Sequence, residues 1–313
     1  MTRPINRIAV IGTGVIGASW AALFLSRGLE VVATDPAPGA EQRLQALVES
    51  FWPALTRIGM AANASVARLR FEPDLARTVS GADFIQENGP ERVDIKRTLL
   101  AEIDAAADPD VIIATSSSGI LISAIQDAAS RPERVLLGHP FNPPHLIPLV
   151  EVVGGKHTSQ EAIDTAMAFY SAVGKKPIHI RREVPGHVAN RLQAALWREA
   201  FHLLEQGVAS VADIDTAIAH GPGLRWALLG PFLNLHLSGG AAGIGHTIDH
   251  LGPPIESWWQ DLGRPSFSPA LREAAIAGVA AELASHDFAE TIRQRDDVLI
   301  SLLANKAASD QLP

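Results

Sequence analysis

The first part of the chain alternates short apolar runs with longer stretches of helical periodicity. The runs RIAVIG, EVVATD, ADFIQEN and DVIIATS are rich in β-branched residues and predict buried strands, and FEP, RVLLGHPF, LVEVVGG and KPIHIRR predict further strands. Helices are predicted over about residues 15–27 and 40–60. Strands that alternate with helices are typical of a parallel sheet covered by helices. We therefore predict an α/β domain with a Rossmann-type, doubly wound sheet.

The pattern changes after the segment REVPG. Residues 187–206 contain neither glycine nor proline, and their apolar positions repeat at helical spacing through Val188, Leu192, Leu196 and Leu203. The segment SVAD (210–213) predicts a capping box at the start of the next helix. We therefore place a boundary near residue 186, with a cofactor-binding α/β domain over 1–186 and an all-helical substrate and dimerisation domain over 187–313.

Composition excludes several classes of function. The 313 residues carry 26 basic and 34 acidic side chains, a formal charge of −8, so we expect no nucleic-acid partner. The absence of cysteine excludes disulfides, cysteine nucleophiles and thiolate metal sites. No apolar run approaches about 18 residues and no signal peptide is evident, which predicts a cytoplasmic protein without a membrane span. The histidines within residues 235–259 lack metal-ligand spacing, and no metal is expected.

The N-terminal segment AVIGTGVIGASW contains the pattern G-x-G-x-x-G between a predicted strand and a predicted helix. In this context the glycines permit a tight turn and a close approach of a pyrophosphate to the helix N-terminus. The predicted cofactor contacts are Gly12, Gly14, Val15, Ile16 and Gly17. Asp35 ends the second predicted strand, where a carboxylate would bind the ribose hydroxyl and repel a 2′-phosphate. The cofactor is therefore predicted to be NAD.

The segment GHPFNPPHLIPLVE (138–151) carries a histidine near one end and a glutamate at the other. If a rigid proline-rich turn joins two strands here, Glu151 could orient His139 through one ring nitrogen and leave the other nitrogen free to accept a proton. A structural role for His139 remains open on spacing alone, because the chain has 11 histidines.

Taken with the glycine loop, HPFNPP and PLVEVV resemble the L-3-hydroxyacyl-CoA dehydrogenase superfamily. The segments at 82–96 (ADFIQENGPERVDIK), 115–120 (TSSSGI) and 184–191 (VPGHVANR) are similar to that superfamily in the same order, so the resemblance spans nearly the whole chain. It implies an NAD-dependent dehydrogenase that acts on a CH–OH group, with His139 and Glu151 as a catalytic dyad.

The resemblance also implies roles for individual residues. Ser118 would contact both substrate and cofactor, with Ser117 or Ser116 as the alternative if the correspondence shifts. Asn190 would contact the substrate near the reacting oxygen. Glu91 and Lys96 would lie near the cofactor, although charged residues beside a turn are often simply solvated.

In the helical domain the segment GPGLRWALLGPF (221–232) is longer than its counterpart in acyl-CoA enzymes. It is similar to the branch that contains lambda-crystallin, L-gulonate 3-dehydrogenase and L-carnitine dehydrogenase, which implies a small free L-3-hydroxy acid as substrate. Arg225 could bind its carboxylate or form an interdomain salt bridge, and Trp226 could line the substrate or pack in the core. The alternatives are a 3-hydroxyacyl-CoA substrate and a non-catalytic crystallin-like role. The resemblance further implies a homodimer formed through the helical domain.

Overall fold

The computed structural model describes residues 4–312, which form two compact units. The first unit ends at Arg191 and the second begins at Leu192. This division lies within helix α6 (Ala189–Glu205), a few residues beyond the boundary predicted from the sequence. The fold is of the predicted class, a Rossmann-type sheet domain followed by a helical region.

The first unit contains one eight-stranded sheet in the order β3-β2-β1-β4-β5-β6-β7-β8. Its strands are β1 (Arg7–Ile11), β2 (Glu30–Thr34), β3 (Leu69–Phe71), β4 (Phe84–Glu87), β5 (Ile112–Thr115), β6 (Val135–Pro140), β7 (Leu149–Gly154) and β8 (Lys176–Ile180). Its helices are α1 (Val15–Ser26), α2 (Ala40–Ile58), α3 (Leu75–Val79), α4 (Val93–Ala106) and α5 (Gln160–Ala172), with α6 beginning at its end.

The sheet is not wholly parallel as the strand–helix alternation predicts. Strands β1 to β6 run parallel, but β7 pairs with β6 in antiparallel register, and β8 runs parallel to β7. The physical reason is the short connection between β6 and β7, residues 141–148, because a parallel crossover needs about a dozen residues or more. The antiparallel register pairs His139 directly with Glu151.

Helices cover both faces of this sheet, which explains why its strands read as continuous apolar runs. Ile8 and Val10 face a core built with α1, α2 and α5. The alternate residues Ala9 and Ile11 face a second core that contains side chains of α3 and α4. Successive strand residues point to opposite faces, so a single strand contributes to both cores.

In the described residues after β8, all regular elements are helical. Following α6, the helices are α7 (Val211–Ala219), α8 (Pro222–Trp226), α9 (Pro231–Ser238), α10 (Gly243–Asp261), α11 (Pro269–Glu282) and α12 (Phe288–Ala307). The predicted capping box is confirmed, because Ser210 and Asp213 exchange hydrogen bonds at the start of α7. No helix in residues 4–312 is long and apolar enough to span a membrane.

Candidate active site

The glycine loop joins β1 to α1 in the geometry that a dinucleotide requires. Gly12 has φ +83°, and a Cβ there would lie 2.8 Å from the carbonyl oxygen of Asn88. A Cβ at Gly17 would lie 1.9 Å from the carbonyl oxygen of Gly12, so α1 can approach β1 only without a side chain there. At Gly14, by contrast, a Cβ would meet nothing within 4 Å. Open space beside the N–H groups that begin α1 fits a pyrophosphate.

Asp35 follows β2 directly and lies beside this loop. Its Oδ2 accepts hydrogen bonds from the Thr13 backbone N–H at 2.8 Å and from Thr13 Oγ1 at 3.2 Å, and its Oδ1 accepts from the Ala37 N–H at 2.9 Å. The carboxylate is half-buried and is held at the edge of the loop that would bind the pyrophosphate. This position fits the predicted role toward a ribose, which remains a prediction.

Lys96 forms a buried ion pair at the end of β4, and its predicted place near the cofactor remains a prediction. Its ammonium group lies 2.9 Å from Glu87 Oε2 and 3.0 Å from Glu87 Oε1, and also contacts the Gly89 carbonyl at 3.2 Å. The lysine side chain is only 1% exposed. The geometry therefore supports a structural ion pair that fixes the end of β4, since a buried ammonium requires such a partner.

Glu91 binds the turn that follows β5. Its Oε1 accepts hydrogen bonds from Ser117 Oγ at 2.6 Å and from the backbone N–H groups of Ser118, Gly119 and Ile120 at 3.1, 2.8 and 3.2 Å. Burial alone would raise the pKa of Glu91, but these hydrogen bonds and the charge of Lys96 lower it below its ordinary value. Glu91 is thus a carboxylate that shapes the serine turn.

Of the serines in this turn, Ser118 is the one whose hydroxyl contacts His139, at 3.1 Å from Nε2. Ser117 is buried against Glu91, and the hydroxyl of Ser116 bonds to Gln86, Asn88 and Trp20. The structure therefore brings the hydroxyl of Ser118, rather than that of Ser116 or Ser117, next to His139. Its contact with a substrate remains a prediction.

The His139–Glu151 pair is a cross-strand pair rather than two ends of a flexible loop. His139 Nδ1 lies 2.8 Å from Glu151 Oε2, and His139 is 4% exposed while Glu151 is fully buried. The second carboxylate oxygen accepts the backbone N–H groups of Val188 and Ala189, each at 2.9 Å, at the start of α6. Three hydrogen bonds thus compensate the burial of this charge.

These contacts determine which nitrogen of His139 can act as a base. Burial alone would raise the pKa of Glu151, but hydrogen bonds from His139 and from the two backbone N–H groups lower it, so the group is ionised at neutral pH. An ionised carboxylate only accepts hydrogen bonds, and Nδ1 must therefore be the donor. In the neutral imidazole the lone pair then lies on Nε2, the nitrogen that faces Ser118.

The remaining predicted substrate contacts lie on helices. Asn190 is half-buried and follows Ala189, whose N–H binds Glu151, so the asparagine lies one residue from an anchor of the dyad. Arg225 and Trp226 end α8 in the second unit, and both are exposed. The roles of these three residues remain predictions.

Sequence reasoning missed His187. This side chain is 1% exposed, and its ring lies 5.3 Å from the ring of His139, measured between centroids. The residue lies in VPGHVANR, but only the three-dimensional structure brings it next to the dyad. The N–H donors of Val188 and Ala189 were missed as well, because backbone groups leave no signal in the residue types.

Comparison with known proteins identifies the family of the chain. The family described as 3-hydroxyacyl-CoA dehydrogenase matches with its NAD-binding domain over residues 7–184 and with its C-terminal domain over residues 186–264. The chain is 49% identical to L-carnitine dehydrogenase of Streptomyces coelicolor over 305 residues, which cover 97% of this chain and 96% of that protein. It is 48% identical to L-carnitine dehydrogenase of a Pseudomonas species over 299 residues, covering 96% and 93%.

Solved structures show the same relationship. A crystal structure of 5-formyl-3-hydroxy-2-methylpyridine 4-carboxylic acid 5-dehydrogenase, an NAD⁺-dependent dismutase, superposes with a TM-score of 0.84 at 30% identity and covers 98% of this chain and 100% of that one. The (S)-3-hydroxybutyryl-CoA dehydrogenase of Ralstonia eutropha has a TM-score of 0.66 at 27% identity, covering 88% and 95%. Since the glycine loop also fits NAD, the chain is an NAD-dependent dehydrogenase of CH–OH groups and belongs to the 3-hydroxyacyl-CoA dehydrogenase family.

Proposed function

We propose that this protein oxidises the 3-hydroxyl group of a small, free L-3-hydroxy acid to the 3-keto acid, with L-carnitine as the first candidate. The observation that carries the proposal is the arrangement of His139, which donates to Glu151 through Nδ1 and leaves Nε2 as a proton acceptor beside Ser118. A carboxylate that orients an imidazole is the arrangement of a general base.

In the proposed reaction, Nε2 of His139 accepts the hydroxyl proton of the substrate. NAD, when bound, supplies the acceptor for the hydride that leaves the carbinol carbon, so that the C–O bond becomes a carbonyl and NADH and a proton are the other products. Glu151 stabilises the imidazolium that forms, and Ser118 and Asn190 hold the reacting oxygen. Such donors contribute most while the charge on that oxygen changes.

The choice of a free acid is supported by two kinds of observation. Two relatives that share 49% and 48% of their residues with this chain are named L-carnitine dehydrogenase, and the matches cover 96% and 93% of those proteins. Arg225 carries a planar guanidinium that can bind a carboxylate in bidentate fashion, and Trp226 offers the aromatic face that a quaternary ammonium prefers. Both residues share α8. A thioester lacks the negative charge that an arginine would recognise.

A substrate panel tests the proposal. NADH formation would be followed with L-carnitine, D-carnitine, L-gulonate, L-3-hydroxybutyrate and L-3-hydroxybutyryl-CoA. The proposal expects oxidation of at least one free L-acid, strongest for L-carnitine, and negligible oxidation of D-carnitine. A much higher kcat/KM for the thioester would instead establish acyl-CoA chemistry and overturn the role of Arg225. No turnover with any compound would favour a non-catalytic role.

Two matched variants test the base. His139→Gln is expected to lower kcat by roughly 10² to 10⁴ while NAD affinity is retained. His157→Gln replaces an exposed histidine of the same unit and should leave kcat unchanged. Full activity in His139→Gln would show that another group accepts the proton.

We further propose that the protein forms a homodimer through its helical region. The second unit exposes large apolar side chains, among them Phe232, Trp258, Trp259, Phe267 and Phe288, each more than half accessible. Exposed apolar surface on this scale is typical of an interaction site. Light scattering coupled to size-exclusion chromatography would measure the mass, and a monomer at micromolar concentration would contradict the proposal.

A further inference from the structure

His187 is a buried imidazole whose presence the dyad does not explain. Neither ring nitrogen makes a hydrogen bond of good geometry among the residues that the structure describes, although both atoms are buried. The backbone of Ser117 acts on the ring as a hydrogen-bond partner outside that geometry. Buried polar groups in native proteins nearly always have partners, because an unpaired group loses its interactions with water without replacement. A buried ring whose nitrogens are so poorly paired therefore costs stability.

The backbone of His187 adds a second cost. Its φ is +52°, and no other non-glycine residue within 4–312 has a positive φ. At this backbone conformation, the N–H groups of the next two residues, Val188 and Ala189, donate hydrogen bonds to Glu151 Oε1. The need for the turn explains the backbone conformation but not the side chain, because glycine adopts a positive φ without the steric penalty of a Cβ.

The groups around the ring determine its charge. His139 of β6, Glu151 of β7 and Glu91, which follows β4, all interact with it electrostatically. Burial lowers the pKa of His187, and the charge that His139 can carry lowers it further, while the charge of Glu151, a hydrogen bond with the backbone of Ser117 and the charge of Glu91 raise it. The net pKa lies below the ordinary value for histidine, so the ring is neutral at neutral pH.

We propose that His187 is a positioning residue for the dehydrogenase reaction, whose neutral polar ring stabilises the imidazolium that forms when His139 accepts the substrate proton. The inference rests on the proposed function of His139. A phenyl ring would fill the same space without unpaired nitrogens, but it lacks the imidazole dipole that can orient toward a new positive charge. His187 acts through His139 and is not assigned a contact with the substrate.

Two variants separate polarity from shape. His187→Phe keeps an aromatic ring and removes the nitrogens, whereas His187→Gln keeps a neutral polar group and loses the ring. Phenylalanine and glutamine both lack the enrichment that histidine shows at positive φ, so the two variants are compared with each other as well as with wild type. The readouts are kcat, KM for NAD and for the substrate, and the thermal midpoint of the protein without ligands.

His187→Phe is expected to lower kcat about tenfold with both KM values changed less than about twofold, because the group acts mainly when charge develops. Its thermal midpoint should exceed that of His187→Gln, because the aromatic ring still fills the space and leaves no polar atom buried. His187→Gln should retain kcat within about threefold of wild type and show a lower midpoint, because polarity is kept and packing is lost. If the side chain of His187 were only structural, the kcat of the two variants would instead fall in the same order as their thermal midpoints.

Two outcomes overturn the inference: wild-type kcat in His187→Phe, or equal losses of kcat in both variants. If the wild-type protein oxidises nothing in the substrate panel, the proposed function fails instead. The thermal comparison of the two variants then still tests whether an apolar ring suits this site, because a midpoint of His187→Phe at or below that of His187→Gln excludes it.

Discussion

Replacing Glu151 with glutamine changes the charge of the dyad with little change in shape. In the native site one carboxylate oxygen accepts from His139 Nδ1 at 2.8 Å, and the other accepts the N–H groups of Val188 and Ala189. The amide of Glu151→Gln has one acceptor oxygen, which the two backbone donors will retain. Its NH₂ group must then face Nδ1 of His139, so Nδ1 becomes the acceptor and Nε2 carries the proton. The lone pair that would accept the substrate proton is lost.

The size of the effect follows from the charge that is removed. For charge centres about 4 Å apart in a medium of effective dielectric about 20, carboxylate and imidazolium attract by about 4 kcal/mol. Each ~1.4 kcal/mol in the barrier changes the rate tenfold, so loss of this attraction alone lowers kcat by roughly 10³. The altered tautomer acts in the same direction, and the expected loss is about 10³ to 10⁴.

The assay is steady-state NADH formation with the best substrate of the panel, together with NAD affinity measured by tryptophan fluorescence. NAD affinity should be unchanged, because Glu151 lies outside the glycine loop. The control is Glu161→Gln at the start of α5, which makes the same substitution elsewhere in the first unit and should keep full activity. A Glu151→Gln protein that is folded, binds NAD and retains more than about a tenth of wild-type kcat would refute the assigned tautomer.

Further predictions concern the cofactor loop and the serine turn. Gly14→Ala should keep its thermal midpoint but bind NAD at least about tenfold more weakly, whereas Gly17→Ala should lower the midpoint because its Cβ would lie 1.9 Å from the Gly12 carbonyl oxygen. Asp35→Asn should reduce the preference for NAD over NADP, measured as a ratio of kcat/KM values, by roughly tenfold or more. Glu91→Gln should lower the midpoint at neutral pH. Since the folded pKa of Glu91 lies below its ordinary value of 4.5, this difference should persist above pH 4.5 and disappear as the pH falls below it.

Local patterns predicted much of the fold. The β-branched runs mark the strands of the sheet, and the glycine loop lies between β1 and α1 as expected. These features depend on neighbouring residues, so the sequence carries them directly. The predicted strand FEP is displaced, since β3 spans Leu69–Phe71. Such errors are expected at the edge of a sheet, where a three-residue strand has few contacts to define its ends.

The details of the site could not be predicted in the same way, because they depend on contacts between distant parts of the chain. The prolines near His139 suggested a rigid turn, but the antiparallel register of β6 and β7 is what pairs it with Glu151. The segment 141–148 is too short for a parallel crossover, so its length could have predicted that β7 runs antiparallel to β6. Glu91 reaches a turn 26 to 29 residues away, and no local pattern encodes that contact.

The buried carboxylate of Glu151 connects the fold to the chemistry. An unpaired charge at a fully buried position would cost several kcal/mol, so the fold is stable only where donors converge on it. Those donors come from the opposing strand, through His139, and from the first N–H groups of α6, where the helix dipole favours a negative charge. The same contacts that make this burial tolerable also fix the tautomer of His139. The nitrogen that we propose as the proton acceptor is therefore determined by where α6 begins, and not by the mobility of a loop.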